Sequence, residues 1–338
     1  MHQRAAKPGV SVRRFSPEDL PDVLELLDAS LGGGPAGRRP PELFRWKHLD
    51  NPFGPSYLLL ATASERLVGL RAFLRWRFLA GDRAVSAVRA VDTATHPDFQ
   101  GMGIFTTLTL AAVDDLRGQV DLVFNTPNGK SGPGYLKMGW TEVGRVPVRI
   151  RARRPLRVLR GRRDGATGGQ APAADAPAAA AVLERGPEVT GLLAREPAPA
   201  GLATARDLAY LRWRYGTAPL LDYRAVTEER DGRLAGLAVF RVRPRGGLWE
   251  STVAEVLAGG DPAVARRLLR RVARAAPTDH LTFAAPAGSA AARAATRAGF
   301  LPSPVGISMV ANPLRPGIRP DPSQLGSWSL TLGDLEVF

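Results

Sequence analysis

Residues 91–108, VDTATHPDFQGMGIFTTL, carry the most informative pattern in the sequence. The first part is rich in β-branched residues, which favours a strand, and the Pro-Asp pair at 97–98 predicts its end. Gly101 and Gly103 then predict a tight turn, and a helix is expected from about Ile104. The first N–H groups of a helix have no partner within it and lie at the positive end of the helix dipole. The pattern therefore predicts a strand, a glycine turn and a helix start that can hold a phosphate or pyrophosphate.

This turn differs from two common nucleotide-binding motifs. A dinucleotide-binding turn needs a third glycine where this chain has Thr106, and no Gly-Lys-Ser/Thr of a P-loop follows. The spacing Gln100-x-x-Gly103-x-Phe105 instead resembles the pyrophosphate loop of the GNAT acetyltransferase superfamily, usually Gln/Arg-x-x-Gly-x-Gly/Ala. Phe105 replaces the small last residue of that pattern. The resemblance implies acetyl-CoA as co-substrate. The residues that it places in the cofactor site around this turn are Ala94, Thr95, Gln100, Gly101, Met102, Gly103, Ile104, Phe105 and Thr106.

A second motif lies downstream and reads NGKSGPGYLKMGW over residues 128–140. It resembles the Asn-x-x-Ala-x-x-x-Tyr-x-x-x-Gly-Phe pattern of GNAT enzymes, with Ser131 and Trp140 at the alanine and phenylalanine positions. The resemblance implies that Asn128 bonds the pantetheine or a nearby backbone group and that Ser131 lies in the cofactor site. It also implies that Tyr135 protonates the departing thiolate. Packing beside Trp140 is the alternative role for Tyr135.

The implied reaction is direct attack by an amine or hydroxyl of the acceptor on the acetyl carbonyl, without a covalent enzyme intermediate. Backbone N–H groups near the end of the strand would polarise that carbonyl. A proton must leave the attacking group, and Asp92, on the strand that would line the acceptor cleft, is the candidate base, directly or through water. The alternative for Asp92 is a hydrogen bond within the strand or to Arg89. His96 and Asp98 are expected to cap the strand end and the turn, respectively.

Composition limits the class of protein. The 338 residues are enough for two domains, and no apolar run reaches the roughly 18 residues that a membrane helix needs. The absence of cysteine excludes disulfides, thiolate catalysis and cysteine-ligated zinc, and with only four histidines no metal is expected. No secretory signal is evident, so a cytoplasmic protein is expected. The net charge of +14 would attract polyanions such as CoA, nucleotide-linked sugars or nucleic acid.

The predicted elements follow an order similar to that of the GNAT fold. Strands are expected over 10–15, 57–63, 67–79, 84–95, 122–124 and 143–151. Helices are expected over 16–31, over 41–47 and from the glycine turn to residue 117. We therefore expect a mixed α/β fold with two GNAT-like domains, each a mostly antiparallel twisted sheet with flanking helices.

The second domain is indicated by an internal repeat. LFRWK at 43–47 is echoed by YLRWR at 210–214, and in both halves a glycine follows the tryptophan by 23 positions, at Gly69 and at Gly236. The predicted organisation has four parts. They are a CoA-binding GNAT domain at 10–151, an Arg-rich and then Ala/Gly/Pro-rich linker at 152–181, a degenerate GNAT-like copy at 182–312 and a tail at 313–338.

The second copy lacks the residues that the chemistry needs. Where the phosphate loop should fall it has LAGGDPAV at 257–264, and Asp261 there would repel a phosphate. At the asparagine and tyrosine positions it has Gly288 and Ala295. One CoA site is therefore predicted, in the N-terminal domain.

The leading hypothesis is an acyl-CoA-dependent N- or O-acyltransferase. The segment 46–54 beside 92–97 resembles bacterial GNAT proteins of surface-sugar or secondary-metabolite pathways, which implies a small-molecule or sugar acceptor. One alternative is an aminoacyl-tRNA-dependent transferase of two GNAT-like halves. The positive charge suits it, but the intact pyrophosphate loop disfavours it, so neither nucleic acid nor a membrane is the expected partner. The other alternative is a CoA-binding protein without turnover, which the retained Tyr135 and Asn128 disfavour.

Overall fold

The structure, a computed structural model, describes residues 9–31, 39–160 and 171–335. Its strands, in chain order, are β1 Val10–Arg14, β2 Tyr57–Ala63, β3 Arg66–Ala80, β4 Arg83–Thr95, β5 Leu122–Asn125, β6 Thr141–Val146, β7 Arg149–Ala152, β8 Leu202–Thr204, β9 Tyr223–Arg230, β10 Arg233–Arg245, β11 Leu248–Leu257, β12 His280–Phe283, β13 Leu301–Pro302, β14 Ile307–Pro313 and β15 Trp328–Ser329. Its helices are α1 Leu20–Leu31, α2 Pro41–His48, α3 Ile104–Leu116, α4 Gly132–Lys137, α5 Pro155–Arg160, α6 Ala179–Leu183, α7 Gly186–Ala194, α8 Leu208–Leu211, α9 Pro262–Ala275, α10 Ala290–Ala295 and α11 Leu332–Leu335. The first four predicted strands are confirmed to within one residue at each end.

Contacts divide the described chain into two compact units. Unit 1 contains the described residues up to Gly144 together with Ser308–Leu325. Unit 2 contains the described residues of Arg145–Ile307 and those from Gly326 onward. Each unit has its own mixed sheet, flanking helices and buried apolar cluster, so the predicted fold class is confirmed. The two units are not consecutive stretches of the chain, because unit 1 combines residues from the N-terminal half with Ser308–Leu325. The predicted boundaries at 151 and 182 instead divide the chain into consecutive segments.

Unit 1 is built on a mixed sheet whose main strand order is β1-β2-β3-β4-β5-β14-β6. The strands from β1 to β4 pair antiparallel with their neighbours. Strands β4 and β5 run parallel and pair over a short ladder that ends at Arg89 and Phe124. Beyond this point β4 continues to Thr95, whereas β5 ends at Asn125, so the two strands separate. The separation leaves the last part of β4 without a strand partner on the β5 side, within the part of the chain that is described.

Helix α3 lies against this sheet, and a glycine permits the close approach. A Cβ on Gly69 would lie 2.6 Å from Ile104 Cγ2 and 3.2 Å from Leu108 Cδ1, so only glycine fits without movement of the helix. In unit 2 a Cβ on Gly236 would lie 2.5 Å from Val264 Cγ1 of α9. The glycine repeated in the two halves therefore has the same packing cause in both units.

Unit 2 has a sheet in the order β13-β7-β12-β11-β10-β9, in which only β11 and β12 run parallel. Helix α9 covers this sheet with residues spaced three and four apart, and its buried residues join those of α10 in one apolar cluster. Arginines occupy the opposite side of α9, and Arg267 and Arg271 both pair with Glu228. Unit 2 thus has a sheet, flanking helices and an apolar cluster of its own, although the second half of the chain lacks the motifs of the first half.

The prediction of a single strand over 143–151 is wrong. Strand β6 ends at Val146 and β7 begins at Arg149, and the two lie in different sheets. Pro147 falls between them, and a proline ends a ladder because it has no N–H to donate. Strand β7 pairs with β12 and β13 in unit 2, and β14 pairs with β5 in unit 1. Each half of the chain therefore contributes one strand to the sheet of the other unit.

Parts of the segments predicted as linker and tail lie among the described residues. Residues 161–170 and 336–338 lie outside the described residues. The part of the predicted linker that follows residue 170 packs within unit 2. Asp175 N donates to Ala275 O over 2.8 Å, and Pro177 O accepts from Ala225 N over 3.0 Å. The predicted tail holds β15 and α11, and both are buried.

Candidate active site

A bend in β4 stands at the centre of the site. The ladder between β3 and β4 pairs Arg71 with Thr93 and Ala72 with Val91, so Asp92 is an extra residue without a partner on β3. Its φ of 34° lies in the left-handed region, which is rare and strained for a residue other than glycine. Such a β-bulge bends the strand and turns the side chain of the extra residue away from its regular direction.

The Asp92 carboxylate points to two residues of α2 that the sequence analysis did not single out. Asp92 Oδ2 lies 2.8 Å from Lys47 Nζ and 2.8 Å from His48 Nε2, and all three side chains are almost completely buried. The expected alternatives for Asp92, a bond within the strand or to Arg89, are therefore not the contacts that the structure shows. The only sequence signal for these partners was the pair of basic residues beside Trp46, at the end of a short helix.

The protonation states of this cluster follow from burial and charge. Burial alone would raise the pKa of Asp92, but Lys47 and His48 hold it well below its usual range. Burial lowers the pKa of His48, so its imidazole is neutral at pH 7. Because an ionised carboxylate can only accept, His48 Nε2 carries the proton, and Nδ1 accepts from the Ser56 hydroxyl over 2.9 Å. An ionised Asp92 with two donors is a weak base, and the arrangement suits a role in holding the bend of β4.

The glycine turn after β4 is open to an approaching group. Gly101 and Gly103 have φ of 77° and 80°, and no atom lies within 4 Å of a Cβ built on either residue. Gly103 is the N-cap of α3, a helix of 13 residues. The N–H groups of its first turn have no acceptor within the helix and stand at the positive end of the helix dipole. Gln100, Met102 and Thr106 are exposed around this turn.

Phe105, the departure from the family pattern, connects this turn to Tyr135. The two rings are perpendicular, with centroids 5.6 Å apart. A Cβ on Gly134 would lie 3.0 Å from Phe105 Cε1, so the ring fills the space that this glycine leaves open. Tyr135 itself is buried and packs on Trp140 with centroids 4.6 Å apart. The large residue at position 105 is therefore a packing residue that joins the start of α3 to α4.

The Tyr135 hydroxyl has a partner that the sequence analysis missed. Arg71 Nη2 donates to Tyr135 Oη over 2.8 Å, and Arg71 is completely buried. A charged residue within the apolar run of β3 was the signal available in the sequence, since arginine is rarely buried without a reason.

Asn128 and Ser131 form the turn that precedes α4. Asn128 Oδ1 accepts from the backbone N–H groups of Lys130 and Ser131, both at 3.0 Å, and from the Ser131 hydroxyl at 3.2 Å. Of the two contacts expected for Asn128, the structure contains the one to a nearby backbone. Both residues lie at the surface of unit 1, next to the helix that carries Tyr135.

The remaining candidates lie at the end of β4. Ala94 and Thr95 pair with Leu70 and Gly69 on the β3 side, and Thr95 O accepts from the Ser30 hydroxyl over 3.0 Å. His96 caps the turn that follows β4, a role that was predicted for Asp98, because its Nδ1 accepts from the N–H of Asp98 over 3.3 Å.

Asp98 differs from its predicted capping role. Its backbone N–H is the donor in that turn, and its carboxylate is 72% exposed, 3.5 Å from His96 Nδ1. The carboxylate does not cap the turn because the imidazole already accepts the bond that a capping side chain would take, and Arg66 Nη1 lies 4.0 Å from it.

In unit 2 the equivalent of the glycine turn is filled by carboxylates of the chain itself. The N–H groups of Ala258 and Gly259 both donate to Glu196 Oε1, the second over 2.6 Å. Asp261 caps α9 and accepts from Ala263 N over 2.7 Å. A phosphate would meet these two carboxylates where unit 1 offers free N–H groups.

Comparison with known proteins identifies the first half of the chain. Residues 11–143 match the family model described as an acetyltransferase (GNAT) domain. The matched region resembles a GNAT acetyltransferase domain. It covers most of unit 1, including the bend of β4, the glycine turn and Tyr135. No protein of curated function matches the sequence.

Solved structures resemble the matched region and the rest of the chain together. A GCN5-related N-acetyltransferase from Anabaena variabilis ATCC 29413 has a TM-score of 0.64 at 13% identity, over 90% of this chain and 73% of that one. A GCN5-related N-acetyltransferase from Kribbella flavida has a TM-score of 0.56 at 16% identity, over 90% of this chain and 71% of that one. Eis1 from Mycobacterium abscessus has a TM-score of 0.55 at 16% identity, over 90% of this chain and 73% of that one. At these identities the similarity concerns the fold, and it extends through both units.

Two further findings concern the described residues as a set. No group of three or more His, Cys, Asp and Glu side chains among them could hold a metal ion. No helix that they form is long and apolar enough to cross a membrane.

Proposed function

We propose that unit 1 transfers an acetyl or related acyl group from its CoA thioester to an amine or hydroxyl of a small molecule, sugars included. The observation that carries this proposal is the connection between an open glycine turn and a buried tyrosine. Phe105, in the first turn of α3, packs directly on Tyr135, so the phosphate end and the thioester end of a CoA molecule would be held by one rigid group of side chains.

The separation of β4 from β5 supports the proposed path of the donor. The pyrophosphate would accept N–H donors of residues 101–106, and the pantetheine arm would follow the open edge of β4 toward the bend. Backbone groups on this edge have no strand partner past Arg89 within the described chain. N–H groups near Ala94 and Thr95 would then polarise the thioester carbonyl and stabilise the oxyanion that attack creates.

Tyr135 and Asp92 take different parts in the proposed reaction. The acceptor attacks the carbonyl carbon, the C–S bond breaks, and Tyr135 gives its hydroxyl proton to the departing sulfur. The attacking group loses a proton, for which Asp92 is the candidate acceptor through water. Asp92 forms an ion pair with Lys47 and its pKa is low, so a water chain would be the immediate acceptor of the proton. The negative charge of Asp92 would stabilise the proton on that water chain.

We propose a single CoA site in the molecule. The equivalent turn of unit 2 has Glu196 and Asp261 in place of free donors, and its tyrosine position is Ala295. A sugar or a secondary metabolite is proposed as the acceptor from the sequence resemblance.

The test is a thermal-shift measurement of the full chain with acetyl-CoA, followed by a screen of amines and amino sugars for acceptor-dependent release of free CoA thiol. A higher Tm with acetyl-CoA and thiol release that depends on an acceptor would support the proposal. No shift, together with binding of aminoacyl-tRNA, would replace it with the tRNA-dependent transferase. A shift without turnover across the screen would favour a CoA-binding protein.

A further inference from the structure

Arg71 is a buried cation whose position is unusual for a core residue. Its side chain is completely buried on the central strand β3. Nη1 donates to the Thr93 hydroxyl and Nη2 donates to Tyr135 Oη over 2.8 Å, whereas Nε has no hydrogen-bond partner. Its other neighbours are the rings of Phe73 and Phe105, at 4.6 and 5.5 Å from the guanidinium carbon. In the described part of the chain no carboxylate forms an ion pair with it.

The internal repeat shows that the fold itself does not need this arginine. Arg71 follows Gly69 by two residues, and in unit 2 the residue two after Gly236 is Ala238. The position of Tyr135 is Ala295 there. Both alanines are completely buried in the apolar cluster of unit 2. The same architecture is thus built with an apolar pair where unit 1 has a charged and a hydroxyl-bearing residue, and a buried charge without a carboxylate is unfavourable for stability.

Arginine is a donor only, and this fixes the direction of the bond. Tyr135 Oη must accept from Arg71, so its own proton is not used in that bond and remains available for another acceptor. We propose that Arg71 is a positioning residue that orients the Tyr135 hydroxyl toward the leaving sulfur and stabilises the phenolate formed when its proton is transferred. This inference rests on the proposed function and deepens it.

As the tetrahedral intermediate collapses, the electron pair of the C–S bond goes to sulfur, and the Tyr135 proton joins it to give the CoA thiol. The tyrosine is left as a phenolate, and the bond from Arg71 Nη2 becomes a charge-assisted one, which is shorter and stronger than its neutral form. The phenolate regains a proton from water, and the proton of the attacking group leaves to water.

The experiment measures release of free CoA thiol from acetyl-CoA with water as the acyl acceptor, so that no natural acceptor is needed. The variants are Arg71→Met, Arg71→Lys, Tyr135→Phe and the double variant Arg71→Met/Tyr135→Phe. The matched control is Arg75→Met, which removes a half-buried cation from the same face of the same strand, four residues further on.

We expect Arg71→Met to lower kcat about tenfold or more, since it removes a bond to a developing charge, with KM for acetyl-CoA within about twofold. Its Tm should be unchanged or higher, because an apolar side chain replaces a buried charge. Arg71→Lys should restore part of kcat, and the double variant should be no slower than Tyr135→Phe alone. Arg75→Met should keep the kcat of the wild type.

The outcomes separate this inference from the proposed function. The role of Arg71 would be overturned if Arg71→Met had the same kcat as the wild type. It would also be overturned if the double variant were slower by the product of the two single effects. Either outcome would leave the proposed acyltransferase activity intact. A wild type that neither gains Tm with acetyl-CoA nor releases thiol would overturn the proposed function, and this inference with it.

Discussion

Tyr135 is the residue on which the proposed chemistry depends most directly. Its hydroxyl is held by Arg71, and its ring is held between Phe105 and Trp140. Tyr135→Phe keeps this packing and removes the proton, so we expect kcat to fall about 10²-fold or more, with little change in acetyl-CoA affinity. Steady-state kinetics combined with calorimetric titration of CoA would measure both. Unchanged turnover would show that another group protonates the sulfur.

Gly103 is the N-cap of α3 and lies in the turn proposed to hold the pyrophosphate. Gly103→Glu places a carboxylate at the N-cap of α3, where the pyrophosphate should lie, and we expect loss of the thermal shift with acetyl-CoA. Gly118→Glu is the matched control, because Gly118 has a φ of 79° and equally open surroundings just past the other end of this helix. The control should bind acetyl-CoA normally. Binding by Gly103→Glu would mean that the turn does not hold the phosphates.

Asp92 combines a strained backbone with a buried ion pair. Asp92→Asn leaves Lys47 buried without its carboxylate, and we expect a loss of about 3–5 kcal/mol in the free energy of unfolding at pH 7. The pKa of Asp92 is lowered in the folded state, so its contribution is complete above the unfolded value of 3.8 and is lost as the pH falls through the lower folded value. The difference between wild type and variant should therefore shrink on acidification.

Urea unfolding at pH 7 and below pH 4 would measure this difference. Asp98→Asn is the control, since the Asp98 carboxylate is 72% exposed and should contribute little at either pH. Equal stability of Asp92→Asn and the wild type at pH 7 would contradict the ion pair.

At the scale of elements, the contact between a helix and the sheet explains the repeated glycines. Gly69→Ala would place a Cβ 2.6 Å from Ile104, and we expect a loss of about 1–3 kcal/mol together with weaker acetyl-CoA binding, because α3 must move. Gly236→Ala meets Val264 at 2.5 Å and should cost a similar stability without changing acetyl-CoA binding. Denaturant melts and CoA titrations of both variants test this. If Gly69→Ala bound acetyl-CoA as tightly as the wild type, binding would not depend on the position of α3, contrary to this prediction.

At the scale of the whole molecule, the exchange of strands links parts of the chain that are distant in sequence. Ala311 lies in β14 and pairs with Phe124 in unit 1, whereas Ile150 lies in β7 and pairs with Thr282 in unit 2. A proline removes a ladder donor. We therefore expect Ala311→Pro to expose the amides of the N-terminal half, and Ile150→Pro to expose those of the C-terminal half.

Hydrogen exchange followed by mass spectrometry would locate the loss of protection in each variant, and each variant serves as the control of the other. If the amides lost protection from exchange only in the half of the chain that carries the substitution, the exchange of β7 and β14 between the two halves would be contradicted.

The sequence by itself determined the local features. The glycine turn, the strand before it and the helix after it follow from conformational preferences of neighbouring residues, so their bounds were predictable within about a residue. The two motifs with their spacing also pointed to the family whose model matches residues 11–143, because such a resemblance depends on residue types and intervals alone. The end of β6 at Pro147 was readable in principle, but the apolar alternation continued past it and indicated one strand.

Only the tertiary structure determined which distant residues meet. The ion pair of Asp92 with Lys47, the bond from Arg71 to Tyr135 and the exchange of β7 and β14 join segments far apart in the chain. Local preferences carry no information about such contacts, since they form when sheets and helices pack and bury their side chains together. The same packing filled the turn of unit 2 with Glu196, whereas the stretch at 91–108 kept its glycine turn open.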